Sequence, residues 1–227
     1  MSILINNQLI WVSIPRCASV SIEDSLKNNN QLQINLTSKE PYPNINTNHH
    51  FHFRKNFLLE EFGFQKTCCI TRNWFDRWYS ALEYFFEISN HLHRNELKYN
   101  WSDIDNNFIY EYFNKNLADA IYCDNEYKIQ KEYSKFFNVI NKNLPDTLSI
   151  FACKNYWTDN TKCDYEFDIS EIDKFKNLIY EKFGVVLKIK KMNGTSKIKN
   201  KIEVNDELKK WVWDVFEKPF TKNMRLV

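Results

Sequence analysis

Leu9-Ile10-Trp11-Val12-Ser13-Ile14-Pro15-Arg16-Cys17-Ala18-Ser19-Val20-Ser21-Ile22-Glu23-Asp24 reads as strand, turn and helix start in direct succession. Leu9 to Ile14 is a short, β-branched apolar run stopped by Pro15, the pattern of a buried strand. Ser21 with an acidic residue, Asp24, three positions on is an N-cap signature, so a helix is expected to begin there. A strand that passes at once into a helix opens an α/β unit.

Outward from this segment the alternation continues. Gln31 to Leu36 is a second candidate strand, and Thr37 to Asn48, polar and holding Pro41 and Pro43, is an irregular loop. Lys55 to Phe62 predicts a short helix closed by Gly63. Thr67-Cys68-Cys69-Ile70-Thr71 is a buried strand, after which Asn73 caps a long helix with the apolar stripe Trp74, Trp78, Leu82 and Phe85. Further helices are expected over Asp105 to Ala120 and Asn125 to Asn141. A strand over Leu148 to Ala152 follows, then a capped helix from Ser170 to Phe183 ending at Gly184. Val185 to Ile189 predicts a last strand, and Asp206 to Phe216 a closing helix. With no internal repeat or linker, residues 1–227 are expected to form a single domain. Strands alternating with helices predict an α/β fold with a mostly parallel sheet and helices on both faces.

The bulk composition excludes several classes. Apolar residues make up 43% of the 227, enough for a buried core, so a disordered chain is ruled out. A net charge of +2 gives no electrostatic footprint for nucleic acid. No apolar run approaches the roughly 18 residues of a membrane span, and the first residues lack the features of a signal peptide. The six cysteines form no CxxC pair and read as reduced thiols, which places the expected location in the cytoplasm. The abundance of Asn, Lys and Ile beside only three glycines fits an AT-rich genome, such as that of a virus or phage.

In open parallel sheets, ligands bind beyond the carboxyl ends of strands. The first such segment, Pro15 to Ser21, offers a cation, small side chains, hydroxyls and the N–H groups of a helix start, which together suit an anion. It has no glycine and no lysine, so it is not the GxxxxGK(S/T) loop of nucleoside triphosphatases. The second segment is Thr71 to Ser80. Arg72 ends its strand, where a guanidinium fork can hold a phosphate in two-point contact. Asn73, Arg77, Ser80 and Tyr84 are expected on the face opposite the tryptophan stripe, with Arg77 read as an ion-pair partner and Ser80 turned to the ligand side.

Ile14-Pro15-Arg16-Cys17-Ala18-Ser19-Val20-Ser21 resembles the 5′-phosphosulfate loop of sulfotransferases that use 3′-phosphoadenosine 5′-phosphosulfate (PAPS), commonly IPK-T-G-G-T-S or PR-S-G-T-T. Arg72, Arg77 and Ser80 are similar to the R-D-P-x-x-R-x-x-S segment that holds the 3′-phosphate in that family. The resemblance implies a P-loop-like sulfotransferase fold and transfer of a sulfuryl group from PAPS to an acceptor hydroxyl, leaving 3′,5′-bisphosphoadenosine (PAP). It implies that Arg16 sits at the bridging oxygen, that Cys17, Ala18, Ser19, Val20 and Ser21 wrap the 5′-phosphate, and that Arg72 and Ser80 hold the 3′-phosphate. The chain departs from the pattern at Ala18-Ser19, where glycines are usual, at Val20, where threonine is usual, and at Asn73-Trp74, where Asp-Pro is usual.

The transfer needs a base, and imidazole is the usual one near neutral pH. His50-Phe51-His52-Phe53 resembles a segment of uronyl 2-O-sulfotransferases in which the second histidine is the base. That makes His52 the first candidate and His50 the second, with a carbohydrate as the implied acceptor. Glu60, Glu61 and Glu83 stay open as alternatives, and no carboxylate or cysteine lies near these histidines at metal-ligand spacing, so no metal is expected. His91 and His93 are read as decorating a helix C-terminus. Thr195, Ser196 and Lys197, in the basic run after Lys190, loosely resemble the family's nucleotide-covering loop. Two other readings remain: an inactive nucleotide- or glycan-binding module of the same fold, and a small-molecule kinase.

Overall fold

The computed structural model describes residues 3–36, 53–92, 105–122, 150–190 and 202–219. These residues group into two compact units, each assembled from separate stretches of chain: residues 1–73 with 154–194, and residues 74–153 with 195–227.

The first unit carries a five-stranded sheet in the order β3-β1-β2-β4-β5, with β1 Ile3–Ile5, β2 Leu9–Trp11, β3 Ile34–Leu36, β4 Lys66–Thr71 and β5 Tyr165–Asp168. β2–β4 and β4–β5 pair in parallel, whereas β1 pairs antiparallel with both β2 and β3. The class is α/β, as the alternation predicts, but the sheet is mixed and not mostly parallel. The correction comes from a hairpin at the start of the chain. Asn6 and Asn7 both adopt positive φ, 48° and 54°, and the Gln8 N–H bonds to Ile5 O at 3.0 Å. Such a turn has the twist that folds β1 back onto β2, and asparagine tolerates it.

Helices α1 Ser19–Lys27, α2 Lys55–Phe62, α6 Lys154–Trp157 and α7 Ile172–Phe183 belong to the same unit. Leu9, Ile10, Trp11, Cys68, Cys69 and Ile70 are wholly buried, and Trp11 packs on Phe175 of α7 with ring centroids 5.3 Å apart. All five described cysteines are free and buried. The expected strands over Leu148 to Ala152 and Val185 to Ile189 do not form where described. Residues 150–152 turn, and residues 185–189 join no ladder, although Val185 and Leu187 are buried between exposed neighbours. The sheet takes Tyr165–Asp168 at its edge instead. The helix expected at Ser170 starts differently too: Asp168 caps a 3-10 turn over Ile169–Glu171 with a reciprocal bond to Glu171, and α7 follows from it.

Asp164 ties the starts of β4 and β5 together. Its carboxylate accepts the Thr67 N–H at 2.9 Å, the Thr67 hydroxyl at 3.0 Å and the Lys66 ammonium at 2.7 Å. Burial pushes this carboxyl up, but the bonds from Lys66 and Thr67 outweigh it and hold it at about 2. A folded value below the unfolded one, about 3.9, stabilises the fold above about pH 4 and loses its effect as pH falls through the folded value. Asp164→Ala is therefore expected to lower stability by about 1–3 kcal/mol at neutral pH. The gap from wild type should narrow between about pH 4 and pH 2, and urea unfolding at several pH values measures it.

The second unit is helical, with α3 Trp74–Leu92, α4 Asn106–Tyr112, α5 Lys115–Tyr122 and α8 Asp206–Val212, which runs on into a π-helical turn over Trp213–Glu217. Trp78 is its centre, ringed by Phe113, Phe151, Trp211 and Phe216 at 5.8 to 6.3 Å. The helix expected over Asp105 to Ala120 is two helices. The break falls where the Asn114 side chain accepts the Asn116 N–H at 2.9 Å and so caps a new helix. The helix expected over Asn125 to Asn141 lies outside the described residues.

Candidate functional site

The turn between β2 and α1 has an unusual backbone. Arg16 has φ 65°, and Ala18, the residue that caps α1, has φ 58° and ψ 18°. Both are left-handed conformations, which a side chain makes unfavourable by roughly 1–2 kcal/mol per residue. Such strain persists where the surrounding structure holds it, and it clusters at functional sites. α1 begins at Ser19, two residues before the expected Ser21. Ser21 is thus inside the first turn and is not the cap.

Ala18, at the N-cap of α1, makes no side-chain cap bond, and the first turn of the helix holds no acidic residue. Left- and right-handed residues in succession turn consecutive N–H groups into one concavity, the general form of a backbone anion site. Along the turn, exposure alternates. Cys17, Ser19 and Ser21 are buried, with Ser19 and Ser21 at 5% and 6%, while Arg16, Ala18 and Val20 are half-buried. Exposure along the turn therefore falls on Arg16, Ala18 and Val20 rather than on the two serines. Ala18→Gly is expected to raise stability by about 1 kcal/mol, because glycine accepts the left-handed conformation. Thermal unfolding checks this.

Behind the turn, Glu23 is wholly buried and its Oε1 accepts the hydroxyl of Ser13, also wholly buried, at 2.6 Å. Neither residue stands out as chemistry in the sequence. The signal is positional: Ser19, Ile22, Glu23 and Leu26 fall at i, i+3, i+4 and i+7, so a carboxylate occupies a core position of an amphipathic stripe.

Arg72 follows β4 directly. The parallel register pairs Trp11 with Cys68, and the Val12 N–H continues the ladder to Cys68 O at 2.8 Å. The turn and Arg72 consequently leave the sheet at the same end, the carboxyl end of two adjacent parallel strands, as expected for a ligand site. Thr71 pairs with Asp168. The Ser170 hydroxyl and N–H, with a smaller contribution from the nearby Arg72 charge, hold the Asp168 carboxyl below the ordinary range. Among the described residues the Arg72 guanidinium forms no ion pair.

Ser80 and Arg77 lie on α3, in the other unit. Ser80 is 5% exposed. Arg77, Ser80 and Glu83 are buried as well as Trp78, Ala81, Leu82 and Phe85, so burial on α3 extends beyond the tryptophan stripe. Arg77 donates through Nη1 to Ile150 O at 3.1 Å and through Nη2 to Glu217 Oε1 at 3.2 Å. This is the ion pair expected of it. His50, His52, Thr195, Ser196 and Lys197 lie outside the described residues. Among the described residues, no three His, Cys, Asp or Glu side chains are grouped to hold a metal, and no helix is long and apolar enough to cross a membrane. No family model matches this chain, and neither a curated protein nor a solved structure does.

Proposed function

We propose that the chain is a PAPS-dependent O-sulfotransferase, with a carbohydrate hydroxyl as acceptor. The observation that carries the reading is the β2–α1 turn: left-handed Arg16 and Ala18 ahead of a helix with no side-chain cap, at the same sheet end as Arg72. Its donors suit the phosphosulfate end of the nucleotide, and the small side chains from Cys17 to Ser19 let a phosphate come close to the backbone.

In the proposed reaction the acceptor oxygen attacks sulfur as the bond from sulfur to the bridging oxygen breaks. The hydroxyl proton passes to a base, for which His52 is the first candidate and His50 the second. PAP departs with the new negative charge on its 5′-phosphate. Arg16 offsets that charge by electrostatics alone, because a guanidinium keeps its proton at any physiological pH. Preorganised charge of this kind is usually the largest single contribution to such a transfer. Ser80 and the segment Thr195 to Lys197 are proposed as further nucleotide contacts, and no metal takes part. The free buried thiols fit a reducing compartment such as the cytoplasm.

A second reading, a PAP- or glycan-binding module without transfer, is favoured by one observation: the serine hydroxyls of the turn are buried. Nucleotide-dependent unfolding and transfer of labelled sulfate separate the readings. PAP at 100 times its Kd is expected to stabilise the chain by about 2.7 kcal/mol. Labelled sulfate should pass from PAPS to a glycan, and His52→Ala should abolish that transfer while PAP still stabilises. Stabilisation by PAP without transfer would leave the binding module, and stabilisation only by ATP with magnesium would sink both in favour of a kinase.

A further inference from the structure

The strained turn raises the question of what holds it. We infer that Glu23, acting through Ser13, is the positioning residue that keeps the turn from Pro15 to Ser19 in its bent, anion-accepting form; the inference rests on the anion-binding reading above. Ser13 follows the end of β2 and Glu23 sits in the second turn of α1, so their 2.6 Å bond spans the whole turn from strand to helix. Inside the span lie both left-handed residues, Arg16 and Ala18. Backbone of this kind relaxes unless contacts on either side over-determine it.

Packing alone does not explain a carboxylate at this position. An apolar side chain would continue the Ile22–Leu26 stripe, and burying a carboxylate carries a desolvation cost that only bonded partners offset. A hydroxyl bonded to a carboxylate is among the stronger hydrogen bonds, and its length here fits that class. Glu23 lies wholly buried on the core side of α1, so its contribution to the turn is geometric, through the bond to Ser13.

The test uses the full chain with Ser13→Ala, Glu23→Gln and the double variant. Two amides report the turn directly: Cys17 N–H, bonded to Ile14 O at 3.3 Å, and Ile22 N–H, bonded to Ala18 O at 3.1 Å. In Ser13→Ala, hydrogen exchange at these two amides is expected to speed up by about 10-fold or more, and PAP affinity by calorimetry to fall by about the same factor. Exchange in β4 from Cys68 to Ile70 should stay unchanged. The double variant should lose less affinity than the sum of the two single variants, because the Ser13–Glu23 bond couples them. Uniformly faster exchange with unaltered PAP affinity would mean a plain structural role and overturn the inference. Local exchange changes in a chain whose wild type binds no PAP would sink the nucleotide reading and leave the positioning of the turn standing. Unchanged exchange at Cys17 and Ile22 would overturn the inference whatever the chain binds.

Discussion

Arg16→Ala is expected to lower the rate of sulfuryl transfer by about 10²–10³-fold, the usual effect of removing one preorganised group that meets developing charge. The expectation follows from where Arg16 stands. It follows the carboxyl end of β2 in the turn that leads into α1, and it is half-buried there. No other Lys or Arg lies between Pro15 and Ser21, so the full positive charge within the turn comes from this side chain. Its left-handed φ of 65° complicates a single substitution, because alanine is strained there too. Arg16→Gly resolves this, since glycine accepts the conformation while removing the charge. Equal losses in both variants assign the effect to charge, and recovery in the glycine variant would assign it to backbone geometry. Arg16→Lys should retain part of the rate and add a new pH limb. A lysine loses its charge as pH rises through about 10, whereas the wild-type rate has no such limb from Arg16. Initial rates with labelled PAPS across pH measure all three variants.

The parts of the fold legible in the sequence are those whose signals are local. Lys55 to Phe62 closes on Gly63 and Ile172–Phe183 ends at a left-handed Gly184, each where the pattern places it, and the strand from Leu9 starts as expected but ends at Trp11, short of Ile14. What escaped depends on pairing. β1 is only Ile3–Ile5, and its sheet role rests on Asn6 and Asn7 taking positive φ, a signal weaker than Asn-Gly though of the same kind. β5 is Tyr-Glu-Phe-Asp, half-buried throughout, so it has no apolar run, while Val185 to Ile189 has the alternation of a strand and no ladder partner among the described residues. Periodicity reports which side chains are buried, and a ladder also needs a neighbour. The site divides the same way. Arg16 to Ser21 and Arg72 announced themselves by residue type after apolar runs. Glu23 did not, because a glutamate in a helix is ordinarily solvated, and only its place on the apolar stripe betrays it.

Glu217→Ala is expected to lower the stability of the chain by about 3–5 kcal/mol, because it removes the carboxylate that pairs with the buried Arg77 guanidinium. Arg77 is 1% exposed and Glu217 6%, so water cannot replace the lost partner. The carbonyls of Ile150 and Phe151, 3.1 and 3.5 Å from the guanidinium, stay as acceptors but carry no charge to balance it. Arg77→Met should cost a similar amount for the converse reason, a buried carboxylate that loses its cation. Burying an ion pair has a desolvation cost of its own, however. The double variant Arg77→Met/Glu217→Leu should therefore lose much less than the sum of the singles. Urea midpoints for the four proteins close this cycle. The double variant also separates structure from ligand contact. If Arg77 serves packing, as its bonds to Ile150, Phe151 and Glu217 imply, the folded double variant should bind PAP as tightly as wild type. A tenfold weaker Kd would return Arg77 to the nucleotide site, in line with the second arginine of the 3′-phosphate segment it resembles. A loss below about 1 kcal/mol for Glu217→Ala, the range of exposed pairs, would mean that water reaches this pair after all.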